Sequence, residues 1–191
     1  MSSLNILIVG VGGQGTLTAS RVLGKVAELK GMDVKVSEVH GMAQRGGSVV
    51  THVRISSEKV FSPLVDLGGA DIIIAFEKLE ALRYIHFLKK GGAIVINDQQ
   101  IDPMPVVIGA VEYPQNIMED ISKNHRVYKV NAVDEAKKLG NSKVFNIIVL
   151  GVAAQHMEFS KDQWLSVIER TVPAKTVEIN KKAFELGYSL A

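Results

Sequence analysis

The segment Gly10-Val11-Gly12-Gly13-Gln14-Gly15 restricts this chain more than any other, because it stands between a β-branched run and a helical repeat. The run is Asn5–Val9, and the repeat, Thr16–Lys30, carries apolar residues at Leu17, Val22, Leu23, Val26, Ala27 and Leu29. Glycines let the backbone turn tightly and let another group come close to it. Free N–H groups at the start of the following helix attract an anion. Gly31 closes the helix and Val34–Val39 supplies a second strand, so the opening segment reads as a βαβ unit, which favours a parallel sheet.

The continuation departs from a standard dinucleotide-binding half. The apolar run Val49–Ile55 follows a loop, His40–Ser48, too short to hold the crossover helix that another parallel strand requires. Val49, Thr51, Val53 and Ile55 alternate with Val50, His52 and Arg54, a pattern that suits an antiparallel or edge-type strand with one wetter face. Alternation of strand and helix then resumes. Asp71–Phe76 is a strand, Leu79–Leu88 a helix broken by Lys90-Gly91-Gly92, and Ala93–Asn97 a strand. Pro103 and Pro105 mark an irregular connection before a short strand at Val106–Ala110. Asn116–Lys123 reads as helix, Arg126–Val130 as strand and Val133–Leu139 as helix. From Lys143 the pattern is helical throughout: Val144–Met157, Lys161–Arg170 behind a Ser160 cap, and Lys175–Leu186. The predicted class is α/β, a Rossmann-like doubly wound, mixed but mainly parallel sheet with a helical C-terminal region. With 191 residues, 47% of them hydrophobic, and no linker or repeat, one domain over residues 1–191 is expected.

The glycine loop satisfies G-x-G-x-x-G in its proper strand-to-helix context, and Glu38 ends the second strand about where a ribose-binding acid would stand. Alone, these signals point to a nicotinamide or flavin nucleotide, as in a free-standing NAD(P)-binding dehydrogenase or regulator. The short connection after Glu38 and the polar Gln14 count against it. A tight turn with no ligand, and a site for some other phosphate, stay open beside it.

A second constellation lies between two strands, Glu38-Val39-His40-Gly41-Met42-Ala43-Gln44-Arg45-Gly46-Gly47-Ser48. Packing seldom needs such a loop. Gly41, Gly46 and Gly47 permit close approach of another surface, and the planar fork of Arg45 can hold a carboxylate or phosphate. His40 and His52 could meet across a turn, but no further ligand at regular spacing accompanies them, so a metal site is not expected. No nucleophile elbow surrounds any serine, which argues against a hydrolase.

Composition narrows the chemistry further. The chain has no cysteine, so disulfides, thiolate metal sites, iron–sulfur clusters and thiol nucleophiles are outside its means. A balance of 22 basic against 20 acidic residues provides no field for nucleic acid or an anionic membrane. The N-terminus shows no signal-peptide pattern, and Val144–Ala154 is far shorter than the roughly 20 residues of a membrane span, so a cytoplasmic soluble protein is predicted.

Taken together, Ile8–Gly24 (IVGVGGQGTLTASRVLG) and Glu38–Ile55 (EVHGMAQRGGSVVTHVRI) resemble the gamma-type subunit of 2-oxoacid:ferredoxin oxidoreductases, within it the beta-subunit type of the indolepyruvate branch. GVGGQG followed by HGMAQRGGSV is far more specific than either glycine segment alone. The resemblance implies a subunit, inactive by itself, of an enzyme that oxidatively decarboxylates an arylpyruvate, transfers the acyl group to coenzyme A and passes electrons to ferredoxin. It also implies that thiamine diphosphate, Mg and iron–sulfur clusters reside in a large alpha subunit, the partner in a hetero-oligomer, a homodimer being open to the isolated chain. Gly10, Gly12, Gly13, Gln14 and Gly15 fall on the family's first loop. His40, Gly41, Met42, Gln44, Arg45, Gly46 and Gly47 fall on its second, with Glu38 beside it. The loops are expected to face the partner's active site or coenzyme A, or only to shape a permanent interface; none of these residues is expected to be catalytic.

Overall fold

The computed structural model describes residues 3–41 and 46–190. Six strands form one sheet: β1 (Ser3–Val11), β2 (Asp33–His40), β3 (Ser48–Ser56), β4 (Ala70–Ala75), β5 (Leu88–Asn97) and β6 (Arg126–Val130), in the order β2-β3-β1-β4-β5-β6. β1, β4, β5 and β6 pair in parallel, while β3 is antiparallel to both β1 and β2. The sheet is therefore mixed and mainly parallel, as the short His40–Ser48 connection demands. β1 and β2 still run parallel to one another, joined by α1 (Thr16–Leu29), but β3 is inserted between them.

That insertion corrects one expectation. β3 is interior and buried on both sides, including Val50 and His52, whereas β2 is the edge strand and half-exposed along its length. The alternation in β3 reflects mixed polarity on a covered face rather than contact with water. A second correction concerns Val106–Ala110. The chain there forms a single helical turn, α3 (Met104–Val107), because Pro103 and Pro105 preset the backbone for a turn. The helix expected at Leu79–Leu88 is shorter: α2 (Lys78–Tyr84) passes through a 3₁₀ turn, Ile85–Phe87, and Leu88 already belongs to β5. Gly91 and Gly92 lie inside β5, where Gly91 takes a φ of +80° and the register against β4 shifts.

Helices cover both faces. On one, α1, α6 (Phe145–Ala154), α7 (Lys161–Thr171) and α8 (Val177–Ser189) enclose Ile6, Ile8, Val53, Ile55, Ile74 and Val95. The other, thinner cover comes from α2 and α4 (Ile117–Ser122) over Leu7, Val9, Ile73, Ile94 and Ile96. Strands buried on both sides have no polar face to show, which is why DIII in β4 reads as a continuous apolar run. α6 is buried around almost its whole circumference, and Gly151 and Gly187 let the backbones of α6 and α8 meet closely. α7 begins on the expected cap: Ser160 accepts from the Gln163 N–H and the Gln163 side chain accepts from the Ser160 N–H, a full capping box. α5 (Ala132–Lys138) follows β6 directly.

From β1 the chain winds through α1 over one face, and from β4 through α2 over the other. The C-terminal ends of β1 and β4 thus mark the place where the winding reverses, the usual position of a binding crevice in open α/β sheets. The first glycine segment lies there.

Candidate functional site

Gly10 and Val11 end β1, and Gly15 caps α1 in the left-handed region at φ +88°. A Cβ on Gly15 would lie 2.4 Å from Asn146 Nδ2, and one on Gly10 would lie 2.8 Å from Gln14 Oε1, so a side chain at either position would displace a side chain that the loop's hydrogen bonds use. Gly13, at φ +98°, has open space around it.

Gln14 is buried and turns inward. Its Oε1 accepts from the Val11 N–H at 2.7 Å, and its Nε2 donates to the Phe76 carbonyl at 3.1 Å and to Gln99 Oε1 at 3.0 Å. Asn97, fully buried at the end of β5, donates to the same Phe76 carbonyl at 3.0 Å and to Gln99 Oε1 at 3.2 Å, and its Oδ1 accepts from the Ala132 N–H. One polar network therefore links the ends of β1, β4 and β5 with the start of α5. Its members are sequence-distant, and nothing in the local pattern around Asn97 or Gln99 marks them.

The second glycine segment meets the first through the backbone. The Gly12 N–H donates to the Gly47 carbonyl at 2.8 Å. Ser48, which opens β3, donates through Oγ to Glu80 Oε2 on α2. Met42, Gln44 and Arg45 lie outside the described residues, so the structure neither places them nor tests their expected role. Gly41 is exposed, and Gly46 takes a φ of +80° with open space around it.

Glu38 and His40 belong to the edge strand, on the side of the sheet that carries α1. Glu38 Oε2 accepts from Thr16 Oγ1 at 3.1 Å and from the buried Thr51 Oγ1 at 3.0 Å, so the carboxylate ties the last turns of β2 to β3 and to the start of α1. His40 and His52 do not meet. The antiparallel register sets His40 opposite Val49 and His52 opposite Ser37, which turns the two imidazoles to opposite faces. His52 Nδ1 accepts from the Val65 N–H at 3.1 Å, and burial holds its pKa below the ordinary histidine value.

Two depressions flank the first loop. One of about 400 Å³ lies between Gly12–Leu17 and the side formed by Glu38, His40 and Val49. The other, about 530 Å³, is the switch-point crevice between Gln14–Gly15 and Gln99, Lys143 and Asn146. The N–H groups of Val11, Gly12 and Gln14 are spent inside the protein, the last on the Val11 carbonyl at 3.1 Å. A pyrophosphate cradle of the dinucleotide type would draw on this same backbone, and Glu38 is already shared by two threonines. A pyrophosphate would be left the remaining N–H groups at the start of α1, and a ribose a carboxylate that already holds two hydroxyls.

Among the described residues no group of three or more His, Asp or Glu side chains could hold a metal ion, and the chain has no cysteine. A thiolate-held iron–sulfur cluster therefore has no ligands on this chain. No described helix is long and apolar enough to cross a membrane.

A mixed sheet with an antiparallel strand inserted beside β1, and with two glycine segments joined at its switch point, defines a particular class of α/β chain. The profile of the family described as pyruvate ferredoxin/flavodoxin oxidoreductase matches residues 5–190. Indolepyruvate oxidoreductase subunit IorB of Archaeoglobus fulgidus is 42% identical, over 98% of this chain and 95% of its own length. The same subunit of Thermococcus kodakarensis is 43% identical over 100% and 97%. Among solved structures, the gamma subunit of the keto/oxoacid ferredoxin oxidoreductase of Geobacter sulfurreducens superposes with a TM-score of 0.74 at 25% identity, over 98% of both chains. A 2-oxoglutarate:ferredoxin oxidoreductase from Magnetococcus marinus, with 2-oxoglutarate, coenzyme A and succinyl-CoA bound, shares the fold over 31% of its chain, with a TM-score of 0.77 at 22% identity. The chain belongs to the pyruvate ferredoxin/flavodoxin oxidoreductase family, as a gamma-type subunit of a 2-oxoacid:ferredoxin oxidoreductase.

Proposed function

We propose that this chain is the small subunit of an arylpyruvate-oxidising, indolepyruvate-type 2-oxoacid:ferredoxin oxidoreductase, and that its two glycine segments form one wall of a reaction chamber owned by a large partner subunit. Thiamine diphosphate with its Mg, and the iron–sulfur clusters, belong to that partner, which passes electrons on to ferredoxin. The cofactors supply the decarboxylation and electron transfer there. Coenzyme A is the co-substrate, as the ligands named for the Magnetococcus marinus relative suggest, and the site of action is the cytoplasm.

The observation that carries this reading is the hydrogen bond from Gly12 to Gly47. It joins the glycine backbones of the two segments, at Gly12 and Gly47, into a single ledge at the switch point. Gln14 fixes that ledge to β4 and β5 from below. Such a surface is suited to closing a neighbour's chamber and excluding water from it, with Gly12, Gly13, Gly15, Gly46 and Gly47 on the ledge, Gly10 and Gln14 buried beneath it, and Glu38, His40 and Gly41 at its margin. Met42, Gln44 and Arg45 extend it by sequence, with Arg45 as a ligand for phosphate or carboxylate.

The test is co-expression with the large subunit and measurement of arylpyruvate- and coenzyme A-dependent reduction of a viologen dye. The complex is expected to turn over, and each subunit alone is not. Turnover by this chain by itself, or full activity of the partner without it, overturns the proposal. Micromolar NAD binding to the isolated chain by calorimetry would favour the dinucleotide reading instead.

A further inference from the structure

The buried carboxylate of Glu80 has no part in the reading above. It lies in the first turn of α2, only 4% exposed, on the side of the sheet opposite α1. Burying a carboxylate costs several kcal/mol unless it is well paired. α2 does not need it as a cap, because the Glu77 side chain already accepts from the Glu80 N–H at 2.9 Å. Glu80 spends its oxygens on two donors. Oε1 accepts from Arg83 Nε at 3.2 Å, and Oε2 accepts from Ser48 Oγ. The Tyr84 hydroxyl lies 3.4 Å from the same Ser48 Oγ.

Ser48 directly follows Gly47, whose carbonyl takes the Gly12 N–H. Gly46 and Gly47 have no side chains with which to hold their own position, so Ser48 is the nearest fixed point of the second segment. The first segment is held a few residues away along the same corner of the chain, through the Phe76 carbonyl that accepts from Gln14. The corner between β4 and α2 therefore grips both glycine segments: Phe76 holds one, and Glu80 holds the other.

We propose that Glu80 is a positioning residue for the reaction of the assembled enzyme, acting through Ser48 to hold the Gly47 carbonyl against the Gly12 N–H. This rests on the ledge being a chamber wall, as proposed above. Glu80 touches no reacting atom. Its carboxylate accepts from Ser48, and the Arg83 guanidinium on its outer side keeps the carboxylate aimed.

The test uses the complex with the large subunit and compares Ser48→Ala, Glu80→Ala, the double variant and Ser48→Thr. Each alanine variant is expected to assemble with the partner and to lower kcat about tenfold, the scale of one lost charged hydrogen bond, with KM for the oxoacid little changed. The double variant is expected to lose no more than either single one, because the two residues act through one bond, and Ser48→Thr, which keeps the hydroxyl, is expected to restore most of the rate. Unchanged kcat in assembled variants, or losses that multiply in the double variant, overturns the proposal. If an alanine variant does not assemble, amide hydrogen exchange on the isolated chain decides. Loss of protection at the Gly12 N–H with the rest of β1 still protected supports the proposal, and retained protection at Gly12 refutes it. An inactive wild-type complex would instead refute the functional reading on which this rests.

Discussion

The Gly12 N–H and the Gly47 carbonyl meet at 2.8 Å and bring together two segments separated by a helix, a strand and a loop. Neither segment is a site by itself. β3 makes their meeting possible by returning antiparallel alongside β1, with Val11 opposite Ser48 in the register. A parallel strand in that position would enter the sheet from the other end and carry Gly47 far from Gly12.

Gln14→Leu should destabilise the chain by about 1–3 kcal/mol, because it leaves the buried Val11 N–H without its acceptor, while the Phe76 carbonyl keeps Asn97. Urea unfolding of the isolated chain measures this. Gln14→Glu should cost more than Gln14→Leu, since an oxygen would then face both the Phe76 carbonyl and Gln99 Oε1. Equal stability of wild type and Gln14→Leu would show that the network does not hold the loop.

Gly15 and Gly31 both take a positive φ, +88° and +71°, yet they differ in surroundings. Gly31→Ala should cost about 1–2 kcal/mol, the backbone preference alone, as nothing lies within 4 Å of the added methyl. Gly15→Ala pays the same cost and must also displace Asn146, which loses its bond to the Gly15 carbonyl. Thermal unfolding should rank wild type above Gly31→Ala and Gly31→Ala above Gly15→Ala.

Gly187→Ala should be among the most damaging single-methyl changes, at about 3 kcal/mol or more. The added carbon would sit 2.0 Å from the Ile148 carbonyl oxygen, a backbone atom that cannot move without shifting α6. Denaturant unfolding should show a lower midpoint, and a change of less than about 0.5 kcal/mol would mean that the two helices are free to slide apart.

Stability should fall as pH drops from about 7 towards 5, because burial holds the pKa values of both His52 and His156 below the ordinary histidine value. Arg126 adds to the effect at His156. The unfolded chain then binds more protons than the folded one, so the stability is complete above the unfolded value of about 6.5 and is lost below it. His52→Asn keeps an acceptor for the Val65 N–H without a titrating ring and should flatten the pH dependence. An unchanged slope for this variant would place the effect elsewhere.

Much of the fold was legible in the residues because burial is local in its signature. Continuous apolar runs marked the parallel strands, the 3.6-residue repeat marked α1 and the C-terminal helices, and Ser160 marked the start of α7. The misreadings came where a neighbour decided. Val106–Ala110 has strand-forming residues but follows two prolines that set a helical turn, and β3 has a mixed pattern although β2 covers its outer side. The candidate loops were legible as glycine segments, and Gln14 stood out as the polar residue within one of them. Its partners Phe76 and Gln99, and the Glu80 beneath Ser48, carried no local mark.

By itself, the sequence determined that a strand, a glycine turn and a helix open the fold, that the next strand but one cannot follow through a parallel crossover helix, and that a chain without cysteine cannot carry iron–sulfur chemistry through its own thiolates. Those are consequences of chain length, periodicity and the chemistry of single residues. Only the tertiary structure decided which polar groups meet, because strand order and register, fixed by packing both faces of the sheet, bring residues distant in the chain within hydrogen-bond reach. Gln14 with Gln99, Gly12 with Gly47 and Ser48 with Glu80 are pairs of that kind.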